Sequence, residues 1–226
     1  MAATQDLTTS RATADEPRID GRAALLKAAW RELADHGTAG LSLRAVARRA
    51  GVSHAAPKHH FLDRAGLLTA LAVEGFAELV ERFGAVVDSQ SDPVETVQAL
   101  GRTYLDFGLS RPEMFEVMYG TEPLRSDDPE LAAARMYVLT LLSSAVSEIR
   151  GGQSADDGRP VSDPSLMAWA FIHGLTLIAR DGSLQRVTGT GSQADAAARA
   201  QDLIVTFAGW LGDLGHLGGR NLSDAD

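Results

Sequence analysis

Apolar residues recur along this chain with a helical period. The pattern is clearest from Ser42 to Phe61, SLRAVARRAGVSHAAPKHHF, where Leu43, Val46, Ala47 and Ala50 fall at i, i+3, i+4 and i+7 on one face of a short helix. Arg44, Arg48 and Arg49 fall on the other side. Gly51 suits the left-handed C-cap of that helix, Val52 can turn back into the core, and Ser53 can N-cap a second helix. Two helices joined by a three-residue turn match a helix-turn-helix, in which the second helix enters the major groove of DNA and the first crosses the phosphate backbone. Taken alone, the stretch could also form an ordinary αα-corner, which is the lesser of the two readings.

The same period extends in both directions. Upstream, Asp20 is a candidate N-cap for a helix that ends on Gly37 and turns Leu26, Trp30 and Leu33 toward the next two. The recognition helix is expected from Ser53 to about His60, with Pro57 near its fourth position, limiting how deep the backbone sits in the groove. Asp63 should cap a long helix from Arg64 to about Val87, with Leu68, Leu71, Phe76, Leu79, Val80 and Phe83 as its apolar positions. Asp92-Pro93, Asp128-Pro129 and Asp163-Pro164 each read as an Asp N-cap followed by Pro at the first helical position, and Pro112 to about Gly120 reads as a short helix. Gly151 to Ser162 and Val187 to Ala194 read as loops. With no strand alternation, the expected fold is all-α with about nine helices. Its expected division is a disordered arm (1–18), a three-helix helix-turn-helix domain (19–66), a helical-bundle ligand and dimerisation domain (67–215) and a disordered tail (216–226).

Composition changes this picture little, and charge changes it more. With 45% hydrophobic residues in 226 the chain can build a sizeable core, and with no cysteine it has neither disulfides nor thiolate metal sites. No apolar run is long enough to span a membrane and no secretory signal is seen, so the expected setting is the cytoplasm. The net charge of −9 looks wrong for a DNA-binding protein until it is located: Asp20 to Gly66 carries eight Lys/Arg against four Asp/Glu, a local +4, which leaves −13 on the remainder. A basic module on an acidic body suits contact with phosphate through one end only. Arg11 and Arg18 in the arm could also reach phosphate.

The helix ending on Gly37, Leu41-Ser42, Ala50-Gly-Val-Ser53, His60-Phe61, Asp63-Arg64 and Leu67-Leu68 together resemble the N-terminal domain of the TetR family of bacterial transcriptional regulators, over about Asp20 to Leu79. The family usually has Tyr at the position of Lys58 and Lys at that of Arg64, both directed at backbone phosphate. Trp169, His173 and Gly174, with RPEMFEVMYG (111–120), resemble the C-terminal domain class of TetR regulators named for its Trp, His and Gly. The resemblance implies a homodimeric repressor on a near-palindromic operator in double-stranded DNA, released by an unidentified small-molecule effector, without enzymatic activity or cofactor. Ser42, Arg44, Ser53, Lys58 and Arg64 are then the expected phosphate contacts, and His54, Ala55 and His59 the expected base contacts.

Two further sites follow from helical register. Trp169 and His173 lie one turn apart, Gly174 permits close approach of a neighbouring helix, and an effector pocket there could draw on Tyr104, Phe107, Phe115, Met118 and Tyr119. Pro164 to about Arg180 is apolar nearly all round, and the last helix places Leu203, Phe207, Trp210 and Leu214 at i, i+4, i+7 and i+11; such surface calls for a second subunit, and TetR-like proteins pair these two helices with those of a twin. His54, His59 and His60 do not share a helix face as metal ligands would, and GTGSQA (189–194) has no strand before it, so it is a Gly-rich loop, not a dinucleotide fingerprint. No nucleophile elbow, HExxH or phosphate-binding loop is present. The rivals to a ligand-responsive regulator are a helical carrier or enzyme reusing the fold, and a regulator controlled by a protein partner.

Overall fold

The computed structural model describes residues 21–152, 159 and 161–220, with side chains to 214. The expectations for the arm, for Asp20, for most of the 151–162 loop and for residues 221–226 lie outside them. Ten helices and no strand occur among the described residues: α1 (Gly21–Gly40), α2 (Leu43–Ala50), α3 (Ala56–Phe61), α4 (Arg64–Val87), α5 (Pro93–Ser110), α6 (Pro112–Tyr119), α7 (Pro129–Ile149), α8 (Asp163–Arg180), α9 (Ser183–Thr188) and α10 (Gln193–Arg220).

The caps explain most of these boundaries. Ser42 accepts from the Ala45 amide and Asp63 from the Gly66 amide, so both satisfy an orphan donor of the first turn. Asp92 and Asp128 do the same for α5 and α7. At α8 the expected cap is displaced by one residue: Ser162 accepts from the Ser165 amide, and Asp163 is already the first helical residue. Gly37, at φ 66°, breaks the helical path inside α1, where the sequence places its end. Two elements depart further from expectation. A six-residue helix, α9, precedes the expected 187–194 loop and takes its first two residues, and α10 starts within that loop at Gln193 and continues to Arg220 through part of the expected tail, a stretch without proline.

Helices α1 to α3 close around Leu25, Leu26, Leu33, Leu41, Val46 and Phe61, all buried. The start of α4 completes this core with Leu67, Leu68 and Leu71, and the same helix then carries Phe76, Leu79 and Phe83 into the body, so one apolar cluster joins both ends. In the body α5 is central, packed against α4, α6, α7, α8 and α10. A Cβ on Gly101 would stand 2.7 Å from Ile204 of α10, and one on Gly108 2.4 Å from Thr176 of α8. Glycine lets the Ile204 and Thr176 methyls sit this close to α5, so Ala at either site obliges those side chains or their helices to shift.

The outer faces of α8 and α10 stay uncovered in the single chain. Ala168, Ile172, Leu175 and Ala179 point inward, whereas Met167 is 68% exposed and Leu166, Leu177 and Ile178 are exposed beside it. On α10, Phe207 stacks on Phe171 at 4.3 Å while Trp210 and Leu214 are each 64% exposed. Gly174 faces open space and not a neighbouring helix of the same chain.

Candidate functional site

The turn between α2 and α3 is built as a helix-turn-helix. Gly51 takes φ 69°, and the amides of Gly51 and Val52 return to the carbonyls of Arg48 and Ala47. That closes the C-terminus of α2 with the left-handed cap that glycine supplies at least cost. Val52 does not reach the core; it is 39% exposed. Ser53 does not cap with its side chain either: α3 begins at Ala56 after a turn in which the Ala56 amide donates to the Ser53 carbonyl. Pro57 therefore sits in the first helical turn, where its missing N–H has no partner to lose. It is also buried, so it braces α3 from inside and does not face a groove.

These placements sort the residues expected at DNA. Ser42, Arg44, Ser53, His54, Ala55, Lys58 and His59 are all exposed on α2, the turn and α3. Arg44, Arg48 and Lys58 have no ion-pair partner among the described residues, so their charge is available to phosphate. Arg49 is not: its guanidinium holds Glu32 at 2.8 Å and Asp35 at 2.7 Å, fixing α2 to α1. The hydrogen bond from Arg49 keeps the buried Glu32 carboxyl below its ordinary range against the opposing effect of burial.

Arg64 departs furthest from the sequence expectation. It donates to the carbonyls of Leu41 (3.1 Å) and Thr38 (2.7 Å) and grips both oxygens of Glu122 at 2.6 and 3.0 Å. Four of its five N–H donors are engaged inside the protein, so it acts as a brace and not as a free phosphate contact. Glu122 belongs to the loop between α6 and α7. The same loop sends Arg125 to Asp63 (3.0 Å) and the Phe61 carbonyl, while its own amide at 125 donates to Thr69. One body loop thus holds the end of α3 and the start of α4 through two arginines. The Glu122 carboxyl is lowered first by the hydrogen bond from Arg64, and Asp63 first by the Gly66 amide and next by Arg125.

Behind this loop α4, α6, α7 and α8 leave a cavity of about 490 Å³, within the size range of small-molecule sites. Its apolar wall is Phe76, Met118, Leu124, Val138, Leu139 and Trp169, and its polar groups include Tyr119, Glu122, Ser126 and Arg135. Of the seven residues expected at an effector pocket, Met118, Tyr119 and Trp169 line it. Phe107 and Phe115 are fully buried in the core instead, because large apolar rings on the inner face of a bundle fill space before they bound it. Tyr104 and His173 form the layer behind: the Tyr104 hydroxyl lies 2.8 Å from His173 Nδ1, and the His173 ring is stacked between Trp169 and Phe115. Burial, with the Arg180 charge second, lowers the His173 pKa and so favours the neutral ring. Phe76, Glu122, Leu124 and Arg135 are cavity residues that the sequence pattern does not single out.

Comparison with known proteins bears on both halves. Residues 25–71 match the family model described as bacterial regulatory proteins, tetR family, and residues 97–207 match a tetracyclin repressor-like, C-terminal domain. The HTH-type transcriptional regulator BetI of Rhizobium meliloti is 30% identical over 156 residues, 68% of this chain and 75% of that one. The chain belongs to the TetR family. The HTH-type transcriptional repressor AcnR of Corynebacterium efficiens is 29% identical over 201 residues, 87% of this chain and 96% of that one. A solved structure of a Rhodococcus sp. RHA1 protein of unknown function superimposes with a TM-score of 0.67 at 31% identity, covering 86% of this chain and 98% of that one. This TetR-family chain is a helix-turn-helix transcriptional regulator. The C-terminal match is to the general repressor-like domain and does not single out the Trp-His-Gly class. No described helix is long and apolar enough to cross a membrane.

Proposed function

We propose that the chain is a homodimeric repressor whose operator affinity is lowered by a small molecule bound in the cavity between α4, α6, α7 and α8. Residues 19–66 form the DNA-binding unit and residues 67–215 the effector and dimerisation unit. Ser42, Arg44, Ser53 and Lys58 position α2 and α3 on phosphates, and His54, Ala55 and His59 face the bases. The exposed faces of α8 and α10 pack against their counterparts in a second copy, which sets two α3 helices on one face of a near-palindromic site.

The observation that carries this reading is that the cavity and the DNA-binding unit share one loop. Glu122, Leu124 and Ser126 line the cavity, while Glu122 and Arg125 hold Arg64, Asp63 and the Phe61 carbonyl at the junction of α3 and α4. A ligand that needs this loop moved pulls on the recognition helix directly. It shifts the equilibrium only by its preference for the displaced state: a 100-fold preference is worth about 2.7 kcal/mol and weakens operator binding by up to that factor.

The test is transcription of the neighbouring genes in a strain lacking this chain. Expression rises on deletion and is returned to its low level by the wild type and by Leu139→Trp, which fills the cavity, but not by Lys58→Ala. In conditions where the wild type lets go of its operator, Leu139→Trp continues to repress. Expression that falls on deletion overturns repression, and a Leu139→Trp protein released like the wild type overturns the cavity.

A further inference from the structure

The charge inside the cavity says what kind of molecule it takes. Two lining residues are ionised, Glu122 and Arg135. Both Glu122 oxygens are engaged by the Arg64 guanidinium, so that charge is already neutralised within the protein. Arg135, on α7, has no ion pair and no hydrogen bond among the described residues. Its guanidinium lies over the Phe76 ring, 5.9 Å from the centroid, half-buried on the face of α7 that also presents Val138 and Leu139. The cavity therefore carries one unbalanced positive charge beside a largely apolar wall whose other polar side chains, Tyr119 and Ser126, are uncharged.

Resting on the effector reading above, we infer that the cavity binds an amphipathic organic carboxylate, its acid group on Arg135 and its apolar body against Met118, Leu124, Val138, Leu139 and Trp169. An occupant of this space strips water from the guanidinium, and a buried cation without a partner is costly. A neutral molecule leaves that cost standing, and a cationic one adds repulsion. A carboxylate offsets it with two parallel charge-assisted hydrogen bonds matched to the planar fork. The Phe76 ring, 5.9 Å from the guanidinium carbon, gives that cation an aromatic neighbour. Burial pushes the neighbouring Tyr119 phenol up to about 12, with the Arg135 charge pulling it back. That hydroxyl stays protonated and able to donate at neutral pH, and the positive field of Arg135 reaches the inner wall.

The probes are octanoate, octanol and octylamine at pH 7, titrated by calorimetry into the full-length wild type, Arg135→Met and Arg135→Lys. Methionine retains the apolar stem over Phe76 without charge, and lysine retains the charge without the fork. Octanoate should bind the wild type about tenfold or more tightly than the other two, lose that advantage in Arg135→Met, and fall between in Arg135→Lys. Equal or tighter binding of octanol or octylamine, octanoate affinity unchanged in Arg135→Met, or no octanoate binding up to millimolar concentration each overturns the inference. Following operator release in the same titrations separates this from the effector reading. Octanoate that binds through Arg135 but releases no DNA upholds the ligand class and sinks the effector role, whereas release driven by octanol independently of Arg135 does the reverse.

Discussion

Breaking the bridge between Arg64 and Glu122 should loosen the DNA-binding unit from the body without touching the surface that faces DNA. The pair makes two hydrogen bonds, at 2.6 and 3.0 Å, with side chains 34% and 27% exposed. Fully exposed pairs contribute about 0.2–1 kcal/mol, while removing one partner of a buried pair costs about 3–5 kcal/mol. The bidentate geometry and partial burial place this bridge near the lower boundary between them, at about 1–1.5 kcal/mol. Glu122→Ala should cost about that much. Arg64→Ala should cost about 2–3 kcal/mol, because it also frees the carbonyls of Thr38 and Leu41, which water only partly re-satisfies. The double variant should cost little more than Arg64→Ala, so the coupling energy is about 1–1.5 kcal/mol. Urea unfolding of all four proteins at one fixed protomer concentration measures it, since dimerisation makes stability concentration-dependent. A coupling below about 0.3 kcal/mol would show that the two side chains act independently, and the loop would lose its role as the link.

Three further outcomes follow from other parts of the molecule. Arg49→Ala leaves the buried Glu32, among the described residues, with the exposed His36 as its remaining ion-pair contact and should destabilise by about 2–3 kcal/mol near pH 7. Because Arg49 holds Glu32 below its ordinary 4.5, that contribution is complete above this pH and is lost as pH falls through the depressed value; a stability gap that does not close in acid would assign the effect elsewhere. Trp210→Asp puts a charge on the exposed face of α10 and should give monomers in light scattering where the wild type is a dimer; a dimeric variant would move the interface off that face. Lys58→Ala should weaken binding to all DNA sequences alike and lower the salt slope by about one for each phosphate no longer neutralised, while weakening confined to one base position would make Lys58 a reader of sequence.

What the sequence made legible was local. Ser42, Gly51, Asp63, Asp92 and Asp128 act on amides or carbonyls within a few residues, so their helix ends can be read from spacing and side-chain type. The short helix α9 has too few residues to show a period. Arg64 is misplaced by sequence reasoning because its partners lie 23, 26 and 58 residues away, and a charged residue beside a DNA-binding motif looks the same whether it faces phosphate or a distant carboxylate. The cavity was half legible for a related reason. Met118, Tyr119 and Trp169 are conspicuous aromatic or flexible side chains, whereas Phe76, Glu122 and Arg135 reach the same space from two other helices and a loop. Nothing along one element distinguishes Phe115, which fills the core, from Met118 three positions on, which bounds the cavity.

Selection of DNA from a random pool by the purified full-length protein, with affinity for the winning site measured at 50 and 200 mM salt, tests the central claim most directly. The account predicts one near-palindromic site with half-sites about 34–36 Å apart or a multiple of that, bound about 10³–10⁵-fold more weakly at the higher salt if the dimer makes roughly 6–10 phosphate contacts. A pool that yields no preferred site, or an affinity that does not change with salt, would contradict it.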